Sequence, residues 1–186
     1  MSLVIYSAIY RDNVKGKCLK AGVAFRIKVT IDGKSHQKDF ETISSDRPYG
    51  DLWLSGLLEL LDKIDETGEV TLIKLITNQI EAGRMAKKIE RILVEALAKN
   101  KTTADEIEHL VYKDGRYSPR PNNDLYTKIV VKLIAMGKRH CYFSHDHSPG
   151  KHTMDLVESL QKQIAPSKPL IDKSKPKSSL KKKAPL

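Results

Sequence analysis

The first forty residues alternate between apolar and polar side chains with a period of two. "LVIYSAIY" reads as one strand and "AGVAFRIKVTI" as a second, with Arg26, Lys28 and Thr30 on the face opposite the apolar one. Asp32-Gly33 is a tight-turn signal, so "KSHQKDFETI" is predicted to fold back as a third strand of a hairpin. After the loop SSDRPYG the period lengthens, and Leu54, Leu57, Leu58, Leu61 and Ile64 of "DLWLSGLLELLDKI" share one helical face. Gly68 ends that helix, and "EVTLIKLIT" is apolar enough for a buried parallel strand. A long helix "IEAGRMAKKIERILVEALAKN" follows, then a polar, Pro-rich segment around "YKDGRYSPRPNN". A helix "DLYTKIVVKLIAM" stopped by Gly137, a short fifth strand "RHCYFS" and a last helix "TMDLVESLQKQI" complete the pattern. The predicted order is βββ-α-β-α-α-β-α: three antiparallel strands, then α/β alternation, giving a five-stranded mixed sheet flanked by helices. No internal repeat is visible.

Composition divides this pattern in two. The chain has 186 residues and a formal charge of +10, enough for one domain with a proper core and an appendage. From Pro166 onward seven Lys face one Asp with no aromatic residue, so this tail carries +6 and residues 1–165 only +4. Residues 1–165 are assigned to one domain and residues 166–186 to a disordered basic tail. The tail is either a solubilising terminus or, through Lys181, Lys182 and Lys183, an electrostatic contact for nucleic acid. "MSLVIYSAIYRDN" has neither a basic leader nor a long apolar run, and no stretch approaches a membrane span. The expectation is an intracellular protein, not secreted and not in a membrane, with Cys18 and Cys141 both reduced.

Three short matches carry a family resemblance. "NNDLY" (Asn122 to Tyr126) is similar to an Asn-x-Asp-Leu-Trp helix start, and "LITNQ" to an apolar strand ending in Thr-Asp-Ser. In "SHDHSPGKHTMDLVESL", His145 precedes Asp155 by ten residues with Pro149 between them. Together, over residues 3–163, they resemble type 1 ribonuclease H. The resemblance implies a ribonuclease H-like fold that handles RNA–DNA hybrid or duplex nucleic acid. It also implies two Mg²⁺ or Mn²⁺ ions held by four carboxylates where the enzyme is active.

Carried onto this chain, the four positions read as follows. The first-strand position falls in Tyr6-Ser7-Ala8 and is taken as Ser7; the first-helix position is Asp51; the fourth-strand position is Asn78; the last-helix position is Asp155. Asp51 and Asp155 remain as catalytic or metal-binding carboxylates, with His145 as the family's loop histidine, while Ser7 and Asn78 mark lost ones. Two negative charges in place of four predict weak metal binding, because a hard cation depends on formal charge and geometry. Asp51 and Asp155 also suit helix starts irrespective of chemistry. Asp12 is the acid nearest the first strand, five residues past Ser7 and roughly 16 Å along an extended strand, a distance that weighs against direct substitution. His140, His145, His147 and His152 invite a zinc site, but no Cys pair or HExxH accompanies them.

Two basic clusters remain. Arg84, Lys87, Lys88 and Arg91 lie on the long helix, and Lys113, Arg116 and Arg120 surround Tyr117 in the Pro-rich segment. Charge interleaved with an aromatic suits backbone contacts and stacking on nucleic acid; a solvated helix face and a plain loop are the plainer alternatives. The leading expectation is a nucleic-acid-binding ribonuclease H-like module with a degenerate site, serving a replication or RNA-processing complex. One alternative is a divergent active nuclease using Asp51, Asp155 and Asp12 or Asp146. Another is a protein-interaction scaffold, since this fold class serves unrelated tasks.

Overall fold

The computed structural model describes residues 2–14, 17–45, 47–65, 72–77, 79–112, 122–137, 142–146 and 150–165, with backbone alone at 2, 13–14, 17–19 and 142–146. Strands β1 (Ser2–Val14), β2 (Lys17–Ile31) and β3 (Lys34–Ser44) form the antiparallel meander. The β2–β3 turn holds Asp32 and Gly33 at φ 50° and 75°, the left-handed pair that a two-residue hairpin needs. Then follow α1 (Tyr49–Asp65), β4 (Leu72–Thr77), α2 (Ile80–Ala98), α3 (Ala104–Val111), α4 (Asn123–Gly137), β5 (Tyr142–Asp146) and α5 (Lys151–Ile164). Sheet order is β3-β2-β1-β4-β5, with β4 parallel to β1 and to β5.

The α/β, mixed-sheet class follows the sequence pattern, but the order needs one correction. A helix, α3, stands between α2 and α4 where the pattern indicated a polar connection. Thr103 and Glu106 cap it: the Glu106 carboxylate accepts the Thr103 N–H at 3.2 Å, the Thr102 N–H at 3.1 Å and the Thr103 hydroxyl at 3.0 Å. These bonds hold the Glu106 carboxyl below its ordinary range, the Thr103 backbone bond foremost. Its Ile107, Leu110 and Val111 reach the core.

The period-two alternation of β1 sorts its side chains between two layers. Leu3, Ile5 and Ile9 join Val23 and Phe25 of β2, Ile73 and Leu75 of β4, and the apolar faces of α1, α2 and α4 in the main core. Trp53, Leu54, Leu57 and Leu61 of α1 are fully buried there, each such side chain contributing about 1.5–3 kcal/mol. The even positions face the other way. Ala8 and Ala24 form a small second core with Leu156, Leu160 and Ile164 of α5. Gly22 makes that close approach possible: a Cβ there would lie 2.6 Å from Ile164 Cδ1 and 2.9 Å from Leu160 Cδ2. Thus, among the described residues, α5 alone packs on that face of β1 and β2. Among the described residues no helix is long and apolar enough to cross a membrane.

Candidate functional site

Arg26 lies on the even-numbered face of β2, beneath α5. The alternation pattern placed it on a merely polar face, yet only 12% of its side chain is exposed. Its Nε and Nη2 donate to the two carboxylate oxygens of Asp39 on β3 at 2.8 and 2.7 Å, a bidentate pair. Its Nη1 donates to Asp155 at 3.4 Å and to His152 Nδ1 at 3.2 Å. Because guanidinium is donor-only, His152 Nδ1 must offer a lone pair. The His152 ring packs on Tyr6, with centroids 4.5 Å apart. The Asp39 hydrogen bond foremost, opposed by burial and supported by the Asp39 charge and the Asp155 hydrogen bond, holds the Arg26 pKa above its ordinary value. Asp155, the last-helix carboxylate, therefore meets a protein cation at 3.4 Å while its side chain stays 43% exposed. Ser159 and Gln163 of the same helix donate to Glu41, so this flank of α5 is tied to the β3 edge.

Ser7 sits on the opposite face. It is 0% exposed, and Trp53 of α1 donates its indole N–H to the Ser7 hydroxyl at 3.3 Å. Ser7 and Asp155 therefore lie on opposite sides of the sheet and cannot share an ion. Register supplies the physical reason. Ser7 pairs with Thr77, the last pair of the β1–β4 ladder, which fixes the odd-numbered positions of β1 on the Trp53 side. Ala8, also within the Tyr6-Ser7-Ala8 stretch, faces α5. Asn78 itself lies outside the described residues, as do Lys113, Arg116, Tyr117, Arg120, His140, His147 and Lys181, Lys182 and Lys183. Asp51 stands in the first turn of α1, and His145 is a β5 backbone position beside Leu75. Asp12 lies across from Lys20, next to a bulge. Among the described residues no three His, Cys, Asp or Glu side chains form a group able to hold a metal ion. Gln79, which opens α2, donates from Nε2 to the Ile9 carbonyl at 2.6 Å, pinning the β4–α2 hinge to β1.

Around that end of the molecule cations and aromatic rings pair. Arg11 stacks over Tyr49 at 4.2 Å, and Lys88 over Tyr126 at 4.2 Å while its Nζ reaches Asn123 Oδ1 at 3.4 Å. A Cβ on Gly50 would lie 3.7 Å from both Asn122 Nδ2 and Met85 Sδ, so α2 and the starts of α1 and α4 converge here. Arg84, Lys87 and Arg91 occupy the exposed stripe of α2, flanked by exposed Ile80 and Val94. The α2 cations are readable from helical spacing alone. Arg11, Tyr49 and Tyr126 are not, because their pairing depends on contacts between distant elements.

The chain matches no family model and no curated protein. Its fold is similar to the foamy viral protease-reverse transcriptase in complex with dsDNA, at 14% identity over 88% of this chain and 94% of that chain, TM-score 0.55. It is also similar to the PFV RNase H domain, at 12% identity over 87% of this chain and 93% of that chain, TM-score 0.53. A third likeness is to the foamy viral protease-reverse transcriptase in complex with RNA/DNA hybrid, at 13% identity over 88% of this chain, TM-score 0.55. There the chain spans 20% of the other chain's length. At these identities the likeness is one of fold, and that fold is ribonuclease H-like.

Proposed function

We propose that this domain binds RNA–DNA hybrid or duplex nucleic acid and has lost efficient metal-dependent cleavage. One observation carries the reading: Asp155 is engaged by Arg26, a fixed cation where a metal-binding carboxylate is expected. A pair of Mg²⁺ or Mn²⁺ ions needs several converging carboxylates to offset the repulsion between two dications. The described residues do not fit that requirement. Ser7 is neutral and turned toward Trp53, and Asp155 is paired with Arg26 on the other face. The binding half of the reading draws on two structural neighbours, one solved with RNA/DNA hybrid and one with dsDNA. It draws also on the surface made by Arg11, Tyr49, Arg84, Lys87 and Lys88. Helix starts favour phosphate there, and cation–aromatic pairs suit a sugar–phosphate backbone.

The test uses end-labelled RNA–DNA hybrid in Mg²⁺ and separately in Mn²⁺, following both mobility shift and RNA fragments. The expected result is a salt-sensitive shift with intact RNA. Replacing Lys87 and Arg91 by Ala should weaken binding across sequences and lower the salt slope by roughly 1 for each phosphate no longer neutralised. Fragments that disappear in Asp155→Asn would instead establish an active nuclease. No shift at low salt would remove the binding half of the proposal.

A further inference from the structure

Helix α2 shows solvent a single row of side chains. Its exposed residues are Ile80, Arg84, Lys87, Arg91, Val94 and Ala98, spaced four and three residues apart in turn. Every other position of the helix is buried or half-buried. A 3.5-residue period keeps such a row nearly straight along the helix, so from Ile80 to Val94 it runs about 21 Å at 1.5 Å per residue. The row begins at the β4–α2 hinge, near the starts of α1 and α4, and leads away from them.

Three cations occupy the middle of this ridge, and Ile80 and Val94, 57% and 60% exposed, stand on either side of them. Among the described residues Arg84, Lys87 and Arg91 form no ion pair, whereas Lys99 just past the same helix, Lys63 of α1 and Lys128 and Lys132 of α4 are all paired. Acids line both flanks. At about 100° per residue Glu90 falls on one side, and Glu81 and Glu95 fall on the other with Lys88. All three acids are half-buried beside the exposed cations; Lys99 holds Glu95 at 2.6 Å, and Lys88 stands over Tyr126. The ridge is thus one lane wide for negative charge. A phosphate on it meets Arg84, Lys87 or Arg91, while a second backbone alongside, as in a duplex, meets carboxylates. A duplex backbone also winds away from a straight line of this length.

We infer, on the proposed reading that the helix starts hold a duplex, that α2 guides a single-stranded segment leaving it. The domain then favours nucleic acid with a junction between duplex and single strand. Phosphates of the one strand follow Arg84, Lys87 and Arg91. Ile80 and Val94 meet sugars and the apolar faces of unstacked bases, which a duplex keeps covered. Contacts of this kind are to backbone and ring faces, so base sequence matters little.

The test is fluorescence anisotropy on the full chain with labelled RNA–DNA hybrids: one blunt, one blunt and about eight base pairs longer, and two carrying a DNA overhang of about eight nucleotides at the 5′ or the 3′ end. An overhang of one polarity should tighten binding roughly tenfold over the blunt hybrid at low salt, and the longer duplex should gain less than about threefold. Three phosphates neutralised on a single strand should steepen the salt slope by about 2. Val94→Ser removes an apolar contact and no charge, so it should cost about threefold of the gain with the slope unchanged. Arg91→Glu with Val94→Glu should bring the overhang hybrid to within about threefold of the blunt one in the same variant. No gain from either overhang, an equal gain from the longer duplex, or a gain that survives the double variant would overturn the inference and leave duplex binding standing. Displacement of the overhang hybrid by poly-glutamate as readily as by single-stranded DNA would overturn it too, marking a contact for any polyanion. A blunt hybrid that does not bind would remove the proposed duplex binding and this inference with it. A circular-dichroism melt of each variant separates a binding defect from a folding defect.

Discussion

The Arg26 cluster offers the sharpest stability test. Arg26→Met keeps an unbranched stem of similar length, so packing beneath α5 is largely retained and the guanidinium is what disappears. Four hydrogen bonds go with it, two of them the bidentate pair to Asp39. Breaking a fully buried ion pair costs about 3–5 kcal/mol. Here the carboxylates left behind are 39% and 43% exposed and rehydrate, while exposed pairs are worth about 0–1 kcal/mol. The expected loss lies between, about 2 kcal/mol, which for a domain of this size lowers Tm by about 4–8 °C. Distances then rank the partners. Asp39→Asn should cost about 1 kcal/mol more than Asp155→Asn, since the Asp39 bonds are shorter and bidentate. Urea denaturation followed by Trp53 fluorescence, the chain's single tryptophan, measures all three. A double-mutant cycle should assign the larger coupling to Arg26 and Asp39. An Arg26→Met variant as stable as the parent, or a larger coupling to Asp155, would refute the reasoning.

Ser7→Asp restores a carboxylate to the chain but points it at Trp53 in a dry layer. It should destabilise by about 3 kcal/mol or more without creating cleavage, read by urea denaturation and the hybrid assay. Gly22→Ala presses a methyl against Ile164 and Leu160; overpacking should cost about 1–3 kcal/mol, and amide exchange should quicken first in α5. Burial pushes the Tyr126 phenol up to about 12 from its ordinary 10.0. The neutral phenol is favoured by folding, so this contribution is fully present below pH 10 and is lost as pH rises toward 12. Stability should therefore fall by about 1.4 kcal/mol per pH unit across that window, and Tyr126→Phe should remove this part of the slope in alkaline denaturation curves.

What the sequence displayed and what it concealed follow from the range of each interaction. The hairpin was legible because alternation and Asp32-Gly33 act locally, and α1 because its leucines repeat at helical spacing. Helix α3 escapes the pattern through its polar composition, although Thr103-x-x-Glu106 is a capping signature readable without any structure. Arg26, Lys28 and Thr30 looked like one solvated face because periodicity shows which residues share a side and says nothing of what covers it. Only the docking of α5, permitted by Gly22 and by Ala8 and Ala24, turns Arg26 from a surface cation into the partner of Asp155. The same limit explains Ser7. A one-residue step along a strand exchanges the two faces of the sheet, and a stretch such as Tyr6-Ser7-Ala8 contains no acidic residue to anchor the register. Pairing with Thr77 supplies it, and it turns Ser7 toward Trp53 and Ala8 toward α5. If the proposed reading holds, an acid meant to share an ion with Asp155 belongs on the Ala8 face of β1, with Arg26 removed in the same chain. On the proposed reading, a carboxylate placed at Ser7 would stay on the opposite side of the sheet from Asp155, and Arg26 left in place would still compete with a metal for that carboxylate.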